Sequence, residues 1–253
     1  MKITGVIRHW TLAFVVPRPL IGIAYLPRYL LHWIRYRNMA PMLSMRWRDS
    51  YPCLGDWTST TPFDAYYFYQ GGWLARCVHR AAPKHHIDVG SSVLTMSVLS
   101  AFVDTTFIDV RPLAASLAGL DSKAGDILAL PYADRSIESL SCLHVIEHIG
   151  LGRYNDALDP KGSVKAATEL ARVLTPGGHL YLSLPVGRAR TCFNAHRVHG
   201  PSDVPAMFVG LHLVEFGYVD DDGNYHDRAR PSAAENLDYG CGLYHFEKPA
   251  DAR

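Results

Sequence analysis

The residues best suited to chemistry lie in one short run, His144-Val145-Ile146-Glu147-His148. Two imidazoles and a carboxylate at i, i+3 and i+4 share one face if a helix begins here. Such a set can ligate a metal ion. It can also act without metal as an acid–base group, with Glu147 orienting a histidine that titrates near neutral pH. The plainer alternative is a helix start that only packs and caps. A further imidazole, His196, lies in Asn194-Ala195-His196-Arg197, within a stretch that also holds Arg188, Arg190 and His199. Elsewhere the spacing suits a ligand cradle. His86-Ile87-Asp88-Val89 is a short apolar run ending in Gly90-Ser91-Ser92, and Asp109 closes the next such run. Small residues let backbone approach a ligand, and N–H groups at a helix start suit a carboxylate or phosphate. An acidic residue after the second strand can accept from both hydroxyls of a ribose.

These groups need elements to hold them. Strands are predicted at 86–89, 105–110, 126–130, 136–143 and 179–184. Helices are predicted at 93–102, 112–119 and 163–174, the last stopped by Thr175-Pro176-Gly177-Gly178. Strand alternating with helix implies an α/β fold with a mostly parallel sheet. The tail reads LHLVEFGYVDDDGNYH and then GLYHFEK, an antiparallel strand pair with a turn at Asp222-Gly223. Residues 46–70 are aromatic and punctuated by proline, and read as an irregular lid or connector before a short helix at 73–80. The domain expectation is a basic arm over 1–45, a lid or connector over 46–80 and an α/β domain over 81–253.

Composition sets outer bounds. The 253 residues are 48% hydrophobic and 19% charged, enough for a full core and too apolar for disorder. Net charge is +1, which gives no general argument for nucleic-acid binding. The charge is unevenly spread. Eight Lys/Arg and no Asp or Glu occur up to Arg48, whereas seventeen Lys/Arg face twenty-four Asp/Glu afterwards. Residues 25–36 place Leu26, Tyr29, Leu30, Trp33 and Ile34 at helical spacing beside Arg28, Arg35 and Arg37. That pattern fits an anionic membrane surface, and equally a helix packed on the domain or on a neighbouring subunit. Pro17-Arg18-Pro19 interrupts the apolar run, so residues 1–40 read as peripheral and not membrane-spanning. The cysteines are five, an odd number without a Cys-x-x-Cys pair, which points to a reducing cytoplasm.

Taken in order, HIDVGSS, Asp109, LPYADRSIESLSCLHVIEHI and ARVLTPGGHLYLSLP resemble class I S-adenosylmethionine-dependent methyltransferases over about residues 85–185. The glycine turn departs from that family's Gly-x-Gly-x-Gly. The segments TPFDAYYFYQ, HVIEHIGLGRYNDALDPKGS and LPVGRARTCFNAHRV are similar to a methyltransferase-like domain-of-unknown-function family, number 268, linked with surface-polysaccharide biosynthesis. The resemblance implies a Rossmann-like fold, S-adenosylmethionine as cofactor, and a sugar hydroxyl of a lipid-linked glycan or O-antigen-like polysaccharide as acceptor. Asp88, Gly90 and Ser91 would lie at the methionine end and Asp109 at the ribose. Asp126 and Ile127 would read the adenine edge, with His144 lining the pocket. A base is needed for a hydroxyl acceptor, and His148, His144 or His196 could serve, with Glu147 orienting. Arg188, Asn194 and Arg197 in the loop after the fifth strand, and Tyr67 in the lid, are the acceptor-binding candidates. A divalent metal at His144, Glu147 and His148 is not favoured, because the related Glu-x-x-Glu-His of ubiquinone O-methyltransferases has histidine here in place of its first glutamate. The rival readings are a non-catalytic scaffold of the same fold in a polysaccharide assembly complex, and a metallohydrolase using the same three residues. The expected location is cytoplasmic, peripheral on the inner face of the cell membrane.

Overall fold

The buried runs of the sequence become the strands of one eight-stranded sheet. A computed structural model describes residues 19–39 and 42–251. The chain divides into two compact units, Met1–Phe63 and Asp64–Arg253. In the first, helix α1 spans Pro19–Met39, longer than the predicted 25–36. Tyr25 meets Trp57 edge-on, the Arg28 guanidinium sits 3.2 Å over the Trp57 ring, and Trp33 meets Trp47. Residues 1–18, the opening of the basic arm with Lys2, Arg8 and Arg18, lie outside the described residues. Among the described residues, no helix is long and apolar enough to cross a membrane.

The second unit opens with α2 (Ala65–Ala81). Asp64 caps it, its Oδ1 accepting from the backbone N–H groups of Tyr66 and Tyr67 at 3.0 and 3.2 Å. Its buried face is Gln70, Trp73, Leu74, Cys77 and Val78, the repeat of a helix laid on a sheet. The helix thus begins eight residues before the predicted 73, because the Asp64 cap nucleates it within the stretch read as irregular. The remaining elements are β1 (His86–Val89), α3 (Val93–Leu99), β2 (Thr105–Asp109), β3 (Leu120–Ala124), β4 (Ile137–Leu143), α4 (Gly162–Val173) and β5 (Leu174–Val186). A small hairpin, β6 (Arg190–Cys192) with β7 (His196–Val198), precedes α5 (Val204–Met207), β8 (His212–Val219), β9 (Tyr225–His226) and β10 (Gly240–Glu247).

The sheet order is β3-β2-β1-β4-β5-β10-β8-β9, parallel from β3 to β5 and antiparallel beyond. One face packs on α2 and α3 through Leu74, Met96, Phe107 and Leu143. The other packs on α4 through Ile87, Leu140, Ala167 and Leu170. β1 and β4 are buried on both faces, and their polar residues His86, Asp88, Ser139 and Ser141 hydrogen-bond with one another.

Three predicted elements change. The predicted helix over 112–119 is irregular chain: Pro112 opens it, the Leu113 N–H donates to Ser122 Oγ, and Gly119 sits at φ +77 against Ser100 O. The third strand is Leu120–Ala124, not 126–130. It is an edge strand with a largely exposed pattern, so its hydrophobic signal is weak. Residues 126–129 instead form a turn, with Leu128 N–H on Asp126 Oδ1 at 2.9 Å. Finally, β5 begins at Leu174. Pairing with β4 jumps from Leu174 to His179, so Pro176-Gly177-Gly178 interrupts the ladder without ending the strand.

Candidate functional site

Parallel strands β1, β2 and β4 all end on one edge of the sheet, and a cavity of about 990 Å³ opens there. Its floor is built by β1. Behind Gly90, on the face shared with Leu143, runs a buried polar chain. His86 Nδ1 and Nε2 lie 2.8 and 2.9 Å from Ser139 Oγ and Ser141 Oγ. Ser141 Oγ donates to Asp88 Oδ2, and Asp88 Oδ1 accepts from the Ser91 N–H at 3.0 Å. Ser91 Oγ in turn accepts from the Leu143 N–H at 2.9 Å. Burial pushes Asp88 up to about 6 and His86 down to about 3. This network fixes the turn that follows it. Gly90 has φ +69, and a side chain there would press on Val145 and approach Asp109 Oδ2. The bare backbone therefore lies open beside the Asp109 carboxylate, whose Oδ1 accepts from the Arg111 N–H at 2.7 Å.

The opposite wall comes from the end of β4. Strand β4 stops at Leu143, and His144 adopts the left-handed region at φ +55, uncommon for a residue with a side chain. A single 3-10 turn, Ile146–His148, follows. The predicted helix face does not form, yet this tight reversal still gathers the three side chains. His144 Nδ1 lies 3.1 Å from Glu147 Oε1 and its Nε2 lies 3.3 Å from Cys241 Sγ of β10. Tyr67 stacks on the His144 ring with centroids 5.8 Å apart. His148 Nδ1 lies 2.7 Å from the Ala195 carbonyl, which assigns the proton to Nδ1 and turns Nε2 toward Glu147 Oε1, 3.7 Å away. Burial opposes the charged forms of both His144 and Glu147. Around His144, Cys241 and Glu147 outweigh it and hold the imidazole well above its ordinary pKa. Around Glu147, His144 and then His148 outweigh it and keep the carboxyl below its ordinary value. The second oxygen, Glu147 Oε2, is buried and has no hydrogen-bond partner among the described residues. Among the described residues, no group of three or more His, Cys, Asp or Glu side chains is arranged to hold a metal ion.

Comparison with known proteins bears on this architecture. Residues 131–230 match the family model described as "Caenorhabditis protein of unknown function, DUF268". No curated protein matches the sequence. Among solved structures, the N-methyltransferase NodS from Bradyrhizobium japonicum WM9, in complex with S-adenosyl-L-homocysteine, superposes with a TM-score of 0.53 at 18% identity, covering 85% of this chain and 98% of that one. The fold is that of the class I methyltransferases. A putative sarcosine dimethylglycine methyltransferase from Galdieria sulphuraria is similar too, with a TM-score of 0.52 at 15% identity, over 72% of this chain and 86% of that one. So is the [4+2]-cyclase SpnF, with a TM-score of 0.52 at 16% identity, over 71% and 82%. The last is a reminder that a fold does not by itself fix a reaction.

On this fold the sequence-predicted residues separate into those that meet and those that do not. Gly90, Ser91, Asp109, His144, Glu147, His148, His196 and Tyr67 all line the one cavity. Asp88 lies beneath it, fully buried in the polar chain. Asp126 and Ile127 are not in its lining; Asp126 closes its own turn and Ile127 is core. Of the loop candidates, Arg188 pairs with Asp238 at 3.3 Å, and Asn194 is exposed at the hairpin tip. Arg197 spends its guanidinium on the carbonyls of Glu147, Ile149 and Asp159, bracing the turn that carries the site. The sequence reading passed over Arg111, Arg153, Tyr154 and Tyr239, which also line the cavity. It passed over Cys241 as well, which reaches His144 from 97 residues away. Only Arg111, two residues past Asp109, carried a local signal.

Proposed function

We propose that this chain is an S-adenosylmethionine-dependent methyltransferase that methylates a sugar hydroxyl of a lipid-linked or surface polysaccharide. The observation that carries the reading is the shared cavity: an open Gly90 turn and the Asp109 carboxylate on one side, the His144–Glu147–His148 group on the other. The cofactor fits the cradle, because Gly90 leaves space a side chain would fill and Asp109 keeps Oδ2 beside it. When bound, its sulfonium supplies an electrophilic methyl group. Gly90, Ser91 and Asp109 would hold it, and the chain's further task is to align an acceptor and take its proton.

His148 is the base in this reading. His144 has both ring nitrogens engaged, by Glu147 and Cys241, whereas His148 keeps Nε2 toward the cavity side of Glu147. Glu147, held ionised, stabilises the imidazolium that forms. The acceptor assignment rests on the polysaccharide substrate that the sequence resemblance implies and on the arm. Helix α1 carries Arg28, Arg35 and Arg37, no acidic residue, and exposed Ile23, Leu31, Ile34 and Tyr36. That composition supports peripheral attachment to the anionic inner face of a cell membrane, where a lipid-linked glycan would be within reach. Two measurements test the reading. Calorimetric titration with S-adenosylhomocysteine should show one-to-one binding; a flat titration favours the non-catalytic scaffold instead. Mass spectrometry of glycans from cells with and without the gene should show the loss of one methylene mass in its absence.

A further inference from the structure

The sequence placed the acceptor's arginines after β5, but those guanidinium groups are already spent. Arg188 and Arg190 both pair with Asp238, and Arg197 is bound to backbone carbonyls. Arg111 is drawn to Asp109, 3.5 Å away. Arg153 differs. It lines the cavity, donates one hydrogen bond from Nη1 to the Ala195 carbonyl at 2.9 Å, and lies with Cζ 5.1 Å from the Tyr154 ring. Among the described residues it makes no ion pair with a carboxylate. Tyr154 also carries the Arg111 guanidinium, with Cζ 4.9 Å from the ring, so two positive charges flank one aromatic at the cavity rim.

The position of Arg153 gives it meaning. Its Nη1 is 3.4 Å from His148 Nδ1, while Glu147 Oε1 is 3.7 Å from His148 Nε2. The imidazole thus stands between a guanidinium with unspent donors and the Glu147 carboxylate that would stabilise its protonated form. A neutral polyol could donate a hydroxyl to His148 Nε2 but would leave the guanidinium fork without a partner. A molecule bearing both a hydroxyl and an anionic oxygen satisfies both. Nearby, His196 also lines the cavity, its pKa held below the ordinary value chiefly by burial.

We propose that the acceptor is an anion, a hydroxylated phosphate or carboxylate held by the Arg153 guanidinium so that its hydroxyl donates to His148 Nε2. This rests on the methyl-transfer reading and narrows its substrate to charged sugars. A bidentate guanidinium pairs alike with phosphate and carboxylate, so both sources share one chemistry. The transfer balances simply. The hydroxyl oxygen forms the new bond to the methyl carbon, the bond to sulfur breaks with its pair going to sulfur, and the proton passes to His148 Nε2.

The test uses the full chain saturated with S-adenosylhomocysteine and titrated, by ligand-observed NMR, with glucose 1-phosphate, glucuronate and glucose. One or both anions should bind more tightly than glucose, with affinity falling as salt rises. The anion that binds identifies the source. Arg153→Gln should weaken it roughly tenfold or more, the loss of a bidentate charge-assisted pair. The same variant should bind S-adenosylhomocysteine as the unaltered chain does, which certifies its fold. Arg153→Lys, which keeps charge but loses the fork, should recover only part of the loss. Glucose binding as tightly as the anions, neither anion binding, or an Arg153→Gln variant with unchanged anion affinity would each overturn the proposal. Failure of S-adenosylhomocysteine to bind, with anion binding intact, would strike the methyl-transfer reading and leave the anion site standing.

Discussion

Replacing Asp88 with asparagine should make the protein more stable at neutral pH, and by more there than at acid pH. Asp88 is fully buried and its carboxyl is pushed from the ordinary 3.8 up to about 6, burial outweighing the hydrogen bonds from Ser141 and Ser91. A folded-state pKa above the unfolded one means that the native protein holds the proton more tightly. The stability this provides is complete below about pH 4, is lost as pH rises through about 6, and is absent above it. At about 1.4 kcal/mol per pH unit, ionising Asp88 inside the fold costs on the order of 3 kcal/mol by pH 7. Asparagine cannot ionise. It can keep the acceptor for the Ser91 N–H, and its amide can donate to Ser141 Oγ if Ser141 donates instead to His86 Nε2, 2.9 Å away. Burial keeps His86 neutral at that pH, so the tautomer can exchange. The pH-independent offset from this rearrangement should be about 1 kcal/mol in either direction. Urea unfolding followed by tryptophan fluorescence, at about pH 4.5 and about pH 7.5, gives the difference between variant and unaltered protein. The difference should shift toward the variant by about 2 kcal/mol between those conditions, because at pH 4.5 the unfolded carboxyl is already largely ionised. A difference that stays constant with pH, or moves against the variant as pH rises, refutes the reasoning. Since Asp88 lies outside the cavity lining, its affinity for S-adenosylhomocysteine should be kept, and a large loss would place the side chain in contact with the ligand.

Further outcomes follow from the same geometry. Asp109→Ala should weaken S-adenosylhomocysteine binding roughly tenfold or more with an unchanged urea midpoint, read by calorimetry. Gly90→Ala should cost about 1–2 kcal/mol of stability from its left-handed backbone and reduce the same affinity, both measurable on one preparation. His148→Gln should lower kcat on the order of 10²-fold or more with KM little changed. His144→Gln should show chiefly as a lower unfolding midpoint, because it strips partners from Glu147 and Cys241. Removing residues 1–40 should abolish cosedimentation with phosphatidylserine-containing vesicles, while equal partitioning would assign the arm to packing.

How legible was this in the residues alone? The strands buried on both faces were, because Ile87, Val89, Thr105, Thr106, Phe107, Ile108, Ile137 and Leu140 give β1, β2 and β4 a β-branched and apolar character despite the polar residues among them. So was α4, whose Ala166, Ala167, Leu170 and Val173 repeat at helical spacing. Edge strand β3 was not, since one exposed edge and a polar composition erase the pattern. The site was read as a helix face but is a strand end, a left-handed residue and one tight turn. Local sequence places His144, Glu147 and His148 close together under either conformation, which is why the group was found for an imperfect reason. Arg153 and Cys241 depend on contacts made across long stretches of chain, and no local period encodes these. The arginines after β5 were misplaced for the same reason, since Asp238 lies far along the chain from Arg188 and Arg190.

The position of β10 has a consequence for assembly. It lies between β5 and β8, both made before it, and pairs with each along most of its length. A nascent chain that has not yet released Gly240–Glu247 therefore presents two bare strand edges, each a template for another copy. Because Cys241 rides on that same strand, His144 gains its sulfur partner only at the closing step of sheet formation. Folding quality and the readiness of the histidine cluster are thus joined: a molecule whose last wedge has not slotted home is both adhesive and chemically unfinished.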